Sequence, residues 1–440
     1  MPLEHTWHPW FFHPALKNLM SRYALVPDRV WDGSADQPQA GVAVVVKDGL
    51  IEAVKPAAGI PPDVEQRALP GCTLLPGLMD AHVHYSSMMG PAFLAAGVTT
   101  IRDVGNDLDW ILDQRARHDA DPTAGPGILC CGFLLDGTTA HWKIMGRAHA
   151  DGEALRASVR EEVKRGVNAV KFYANLNLEM LSAGVDEARK LKTFCTAHLG
   201  AITAEDAARA GLNEIQHLTG CGPAWKKSST EEQDIFIDLM LKHGMIMTPT
   251  LVVWDRLGRV SDLVFEFDSR REWVHPCHLG IWNEYKSRFG PPEGRLPLQE
   301  PVAHMKRCLK RMQDRGLTIA LGTDTPFPHL VPGFSVHDEL AMYVDAGMKP
   351  VEALRSATSV CAKIFGIGSK AGRIAAGFQA DMVAVKGNPL ERINQIANVE
   401  LTVRAGRMFR SAELLGRIRG QASEQADDPI TRDLLRFLRG

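Results

Sequence analysis

No CxxC pair occurs in this chain, although it holds 8 cysteines, at positions 72, 130, 131, 195, 221, 277, 308 and 361. That scatter argues against a disulfide framework and points to reduced, mostly buried thiols. An excess of charge of one sign is also missing: 50 Lys and Arg stand against 52 Asp and Glu, for a formal charge of -2. Nothing in that balance calls for nucleic acid or an anionic membrane surface. There is no apolar run of about 18 residues, the length that spans a bilayer. The first 20 residues carry histidines and a charge where a secretory leader would be apolar. A cytoplasmic location with no membrane and no nucleic-acid partner is therefore the expectation. Low-complexity tracts and internal repeats are absent too.

What is present is ordinary for a soluble enzyme, with 45% hydrophobic and 23% charged residues. A length of 440 residues exceeds one compact core and suggests a large barrel with a small second module. Residues 1–20 read as an aromatic, irregular N-terminal arm, a packed segment or a partner contact. Short alternating segments follow, such as Val42–Val46 and Ile51–Val54, with a turn at Gly49. The same texture returns in Ala380–Val385 and Leu401–Val403. These are expected to be antiparallel strands, 21–75 and 371–410 together building one small β-sandwich. Residues 411–440 are expected to form a C-terminal helical tail.

Between the two ends, over 76–370, the pattern is strand then helix, repeatedly. Eight short apolar strands are predicted: Gly77–His84, Val98–Val104, Gly127–Leu134, Ala169–Tyr173, Thr193–His198, Glu214–Leu218, Ile246–Leu251 and Thr318–Thr323. Helices are predicted over Asp151–Arg165, Leu178–Leu191, Ala204–Ala210, Glu231–His243 and Val302–Arg315. The fold class is thus α/β, a (β/α)8 TIM-type barrel. The run from about Trp254 to Glu300 is long enough to be a lid or binding insertion.

The strongest local signal is Asp80-Ala-His82-Val-His84 at the end of the first barrel strand. Alternation along a strand turns both imidazoles to one face, where they can chelate one ion. Lys171 lies in the apolar fourth strand, and a lysine buried there must be paired, deprotonated or modified. His198 ends the fifth strand, His217 the sixth, and Asp324 follows the eighth. Each has an ordinary alternative: a satisfied core histidine, a lysine reaching water, an aspartate capping a helix. What sets these six apart is that all sit at the C-terminal ends of strands, and those ends converge on one barrel mouth.

In these motifs the chain resembles the amidohydrolase superfamily, over about Ala24 to Arg407. The segments Val336–Leu340, Ala346–Leu354 and Gly377–Met382 resemble most its branch of imidazolonepropionase-like proteins, prolidase-like dipeptidases and ochratoxin-type amidases. The resemblance implies His82, His84 and Asp324 on one divalent ion and His198 and His217 on a second. Lys171, carboxylated by CO2, would bridge the pair, and Zn2+ would be the usual metal. Nitrogen and oxygen donors suit zinc, and coordination lowers the pKa of water from about 15.7 towards about 7. Asp324 can shuttle a proton from that water to a leaving amine.

Beyond the ligands, Asp80 is read as orienting an imidazole or capping the strand. Asp103 is read as a structural ion-pair residue or a brace for the site. His141, in the loop after the third strand, is a candidate catalytic residue for the carbonyl oxyanion, or else a surface histidine. His141, Trp142 and Tyr173 are the candidate substrate contacts. The expected activity is hydrolysis of a dipeptide-like or N-acyl amino acid amide by a metal-bridging hydroxide, with a small-molecule substrate and a homo-oligomeric protein. Two alternatives are a mononuclear cyclic-amidine hydrolase or deaminase and a non-catalytic barrel scaffold. Related deaminases carry a glutamate three residues after the strand-five histidine, where this chain has Ala201.

Overall fold

Eight short parallel strands surround the centre of the molecule in the computed structural model, which describes residues 22–290, 299–420 and 428–439. The arm expected over residues 1–20 lies outside the described residues. The strands are β1 (Leu78–Val83), β2 (Val98–Asp103), β3 (Gly127–Cys130), β4 (Ala169–Phe172), β5 (Phe194–Ala197), β6 (Glu214–Gln216), β7 (Ile246–Thr248) and β8 (Thr318–Ile319). β1 to β3 form one sheet; β4 to β8 form another, with Leu134–Leu135 and Gly146–Arg147 paired at its edge. Backbone bonds between the two sheets close the ring. Asn168 N–H reaches the Cys130 carbonyl at 2.8 Å, and Ala81 N–H reaches Leu321 at 2.8 Å. The chain is therefore an α/β protein built on a (β/α)8 barrel.

Every predicted barrel strand exists, but each is shorter than the apolar run that announces it. The run Ile246–Leu251 shows why: only its first three residues pair, and from Leu251 the backbone turns into a helix, Leu251–Gly258. Helices start where the sequence supplies a cap. The carboxylate of Asp151 accepts from Ala154 N–H, the side chain of Asn177 accepts from Met180 N–H, and Ser229 with Glu232 forms a capping box. Over its described residues 254–290 the insertion is largely helical, with Leu263–Glu266, a 3-10 turn Ser269–Trp273 and Pro276–Phe289 after the first helix. In the tail lie helices Ser411–Gly420 and Pro429–Arg439.

Strands from both chain ends join one eight-stranded hydrogen-bonded sheet. Most of its pairings are antiparallel, but Tyr23–Val30 runs parallel to Glu65–Pro76. Leu25, Val44, Leu74, Met382 and Leu401 share one core of this sheet. Leu75, Val383 and Val385 point the other way, into the large core they share with the barrel. Seven of the eight cysteines are buried and all are free. Among the described residues, no helix is long and apolar enough to cross a membrane.

Candidate metal centre

β1 delivers two imidazoles to the barrel mouth, and the loop after β8 delivers a carboxylate to meet them. His82 Nε2 lies 3.1 Å and His84 Nε2 3.5 Å from Asp324 Oδ1. One donor atom from each of the three falls within 4.8 Å of the others, and all three residues are buried. Gly322 makes this approach possible: a Cβ there would stand 2.7 Å from His82 Cβ and 2.5 Å from Thr248 Cγ2.

β5 and β6 add the second pair of imidazoles. The rings of His198 and His217 are 4.8 Å apart, and that of His217 is 4.3 Å from His82. His217 Nδ1 lies 3.9 Å from Asp324 Oδ2. Lys171 is buried on β4, and its Nζ donates to Gln216 Oε1. Gln216 directly precedes His217, so Lys171 stands beside the second pair of imidazoles. The six ligand candidates thus gather at one mouth. Among the described residues only His82, His84 and Asp324 form a compact donor group as they stand.

Two ring nitrogens are fixed from outside the centre. His84 Nδ1 sits 2.9 Å from the Gly105 carbonyl, and His217 Nδ1 sits 2.7 Å from Thr250 Oγ1. The first contact leaves His84 Nε2 free to face Asp324. Asp103 acts through Gly105. Its carboxylate accepts from the backbone N–H of Tyr85 at 2.7 Å and Gly105 at 3.1 Å, holding the loop that holds His84. Asp80 reaches no imidazole. Its Oδ1 accepts from His82 N–H at 3.1 Å and Thr323 N–H at 3.0 Å, and its Oδ2 accepts from the Thr323 hydroxyl at 2.6 Å. It ties β1 to the Asp324 loop.

The backbone bends sharply at these positions. His217 and Asp324 have φ of 65° and 68°, and Leu218 and Thr250 follow at 59° and 46°. Non-glycine residues in this left-handed region cost on the order of 1–3 kcal/mol each and cluster at functional sites. Burial keeps the imidazoles neutral, the state in which they bind a cation. It pushes His84 down to about 4 and His198 down to about 3, and His82 and His217 well below the usual range. Burial also lowers the Lys171 ammonium to about 7 and raises the Asp324 carboxyl.

Both ring nitrogens of His82 and Oδ1 of Asp324 are buried without a hydrogen-bond partner. Orphaned buried polar atoms are rare in folded proteins because each forfeits its hydration. A divalent cation fits this donor set of buried neutral imidazole and carboxylate.

The substrate candidates flank the mouth. Tyr173 follows β4 with its ring 4.9 Å from His198, and its hydroxyl accepts from Trp142 Nε1 at 3.0 Å. The exposed His141 ring lies 5.2 Å from Trp142 and 6.1 Å from Tyr173. Its backbone N–H is held at 2.8 Å by the buried Asp136, which also accepts from Asn175 N–H at 2.7 Å. The Trp254 ring lies 6.0 Å from that of His217. Sequence reasoning missed Thr250, Gln216, Asp136 and the Gly105 carbonyl. The first three were visible only as polar residues beside strand ends; a backbone carbonyl leaves no mark in a sequence.

The sequence matches the model of the Amidohydrolase family over residues 73–409. It is 24% identical to the ochratoxinase of Aspergillus niger over 427 residues, covering 81% of this chain and 80% of that protein. Among solved structures, a bottromycin amidohydrolase superposes with a TM-score of 0.75 at 21% identity, covering 95% of each chain. A Xaa-Pro dipeptidase with methionine in its active site superposes with a TM-score of 0.70 at 23% identity, covering 89% of this chain and 100% of that one.

Proposed function

The chain belongs to the amidohydrolase family, and from that membership we propose that it is a binuclear metal-dependent hydrolase of an amide bond in an N-acyl amino acid or a dipeptide-like molecule. The observation that carries this reading is the buried, partnerless donor set of His82 and Asp324 beside three further neutral imidazoles. His82, His84 and Asp324 would hold one divalent ion, His198 and His217 a second. Zinc suits these nitrogen and oxygen donors.

Lys171 would complete the pair as a carbamate. Its amine is lowered to about 7 mainly by burial, so much of it is neutral and nucleophilic at physiological pH. Attack of that amine on CO2 forms an N–C bond, releases a proton and replaces a buried cation with an anionic oxygen ligand. Gln216 Nε2, buried without an acceptor, would gain one in the new carboxylate. When bound, the ions supply a water that ionises near neutral pH and an electrophile for the scissile carbonyl.

The chain's own groups do the rest. Asp324 takes the proton of the attacking water and returns it to the departing nitrogen. His141 faces the carbonyl oxygen and steadies the charge that develops there. Tyr173 and Trp142 line the acyl side. The names of the similar proteins, an ochratoxinase, a dipeptidase and an amidohydrolase, are in keeping with amide cleavage.

Metal analysis on the purified chain tests this reading. About two divalent ions per chain are expected, with most of them lost in Lys171→Ala. The same samples go onto a panel of N-acyl amino acids and dipeptides. Full turnover by chelator-treated, metal-free protein would refute the proposal.

A further inference from the structure

The last helix of the chain is docked over the barrel mouth by carboxylates. Pro429–Arg439 is amphipathic, and Ile430, Leu434 and Leu438 are buried in the large core. Apolar packing alone would let such a helix slide along the surface. Instead, Asp433 Oδ1 accepts from Lys143 N–H at 3.0 Å, and its Oδ2 accepts from Ile144 and Met145 N–H at 2.8 Å each. Those three amides directly follow His141 and Trp142. A second carboxylate, Asp428, accepts from the Ser86 hydroxyl at 2.7 Å, two residues beyond His84. Thr431 meets His278 of the insertion, Oγ1 to Nε2, at 3.3 Å. The helix is thereby registered against the loops after β1 and β3 and against the insertion after β7.

That register brings Phe437 to the candidate site. Its ring is 5.2 Å from Trp142, 5.8 Å from His141 and 5.7 Å from Phe289. Trp142 also meets Phe327 at 6.2 Å. Tyr173, Phe327 and Phe437 are each only half-buried, so this aromatic surface still has an accessible side. We propose that the C-terminal helix is a specificity-determining wall of the site, with Phe437 contacting the apolar acyl half of the substrate and Asp433 as the positioning residue that fixes the His141–Trp142 loop. The proposal rests on the amide-hydrolase reading above. On that reading Tyr173 and Trp142 line the acyl side, and Phe437 extends the same aromatic surface.

The test compares N-benzoylglycine with N-acetylglycine on the full-length, zinc-loaded chain. The wild type is expected to favour the benzoyl substrate. In Phe437→Ala the benzoyl-to-acetyl ratio of kcat/KM should fall about tenfold through KM, the scale of an aromatic contact. Asp433→Asn should lower the same ratio and also reduce kcat for both substrates, because the loop carries His141, with zinc content unchanged. Arg436→Ala, on the exposed side of the helix, should leave the ratio alone. Should Phe437→Ala fail to fold, Phe437→Leu carries the same comparison. A ratio within twofold of wild type in the phenylalanine variant overturns the proposal. If the wild type cleaves neither these amides nor any member of the wider panel, the amide reading fails and product binding decides this one. Calorimetric Kd values for benzoate and acetate should differ about tenfold in wild type and converge in Phe437→Ala; equal wild-type values overturn it.

Discussion

At Asp324 two demands meet: the backbone must enter the left-handed region, at φ 68°, and the carboxylate must come within 3.1 Å and 3.5 Å of two imidazole nitrogens. Asparagine tolerates the same backbone conformation and has the same shape, but it cannot take a proton at neutral pH. Asp324→Asn is therefore expected to keep its circular dichroism and melting temperature while kcat falls by about 10²–10⁴, the usual worth of a positioned acid–base group. Near-normal turnover would remove Asp324 from proton transfer. At this scale the sequence was most legible where spacing does the work. His82 and His84 share a face because strands alternate, and no tertiary information is needed to say so. Asp80 was less legible, since a carboxylate two residues before a histidine reads equally well as an orienting group. Only the proximity of the Thr323 N–H and hydroxyl explains its role as a tie between strands.

Among the elements, the strands were legible as apolar runs and their ends were not. A run such as Ile246–Leu251 is apolar whether it pairs or curls, and hydrogen-bond geometry with the neighbouring strand decides which. The insertion after β7 carried too few apolar residues at helical spacing to announce its helices. They form because they pack on the barrel and on the C-terminal helix. His278, 1% exposed, is part of that packing. Burial lowers its pKa to about 3 from an ordinary 6.5. The folded state thus holds it neutral while the unfolded segment protonates near 6.5. Its contribution is full above that pH and is lost as the pH falls towards 3, with a loss on the order of 2 kcal/mol by pH 5. Amide exchange in Pro429–Arg439, corrected for intrinsic rates, is expected to accelerate between pH 7 and pH 5, and His278→Gln should flatten that response. An equally steep response in the variant would assign it to another group.

For the whole molecule, the barrel interior holds a charged staple. Arg102 on β2 donates to both carboxylate oxygens of Glu214 on β6, at 2.8 Å and 2.6 Å, and both residues are buried. Arg102 also donates to the Ala81 carbonyl at 3.0 Å. Removing one partner strands the other charge in the core, at a cost of about 3–5 kcal/mol, whereas replacing both by apolar residues restores most of it. Urea unfolding of Arg102→Met, and of Arg102→Met with Glu214→Leu, should show a large loss in the first and a recovery in the second. Equal losses in both would mean that the pair does not act as a unit. Nothing local in the sequence joins residues 102 and 214; the ring of strands does.

By itself the sequence determined the alternation of strand and helix, the eightfold repeat and the residues at strand C-termini, because periodicity and composition are local properties. It also carried the family, through motifs spread over most of the chain. Tertiary structure alone decided which carboxylates meet imidazoles and which meet backbone amides, and that the last helix sits over the mouth. Those outcomes depend on distances between segments hundreds of residues apart, set by barrel closure and by which buried donors find acceptors, and no window along the chain contains them.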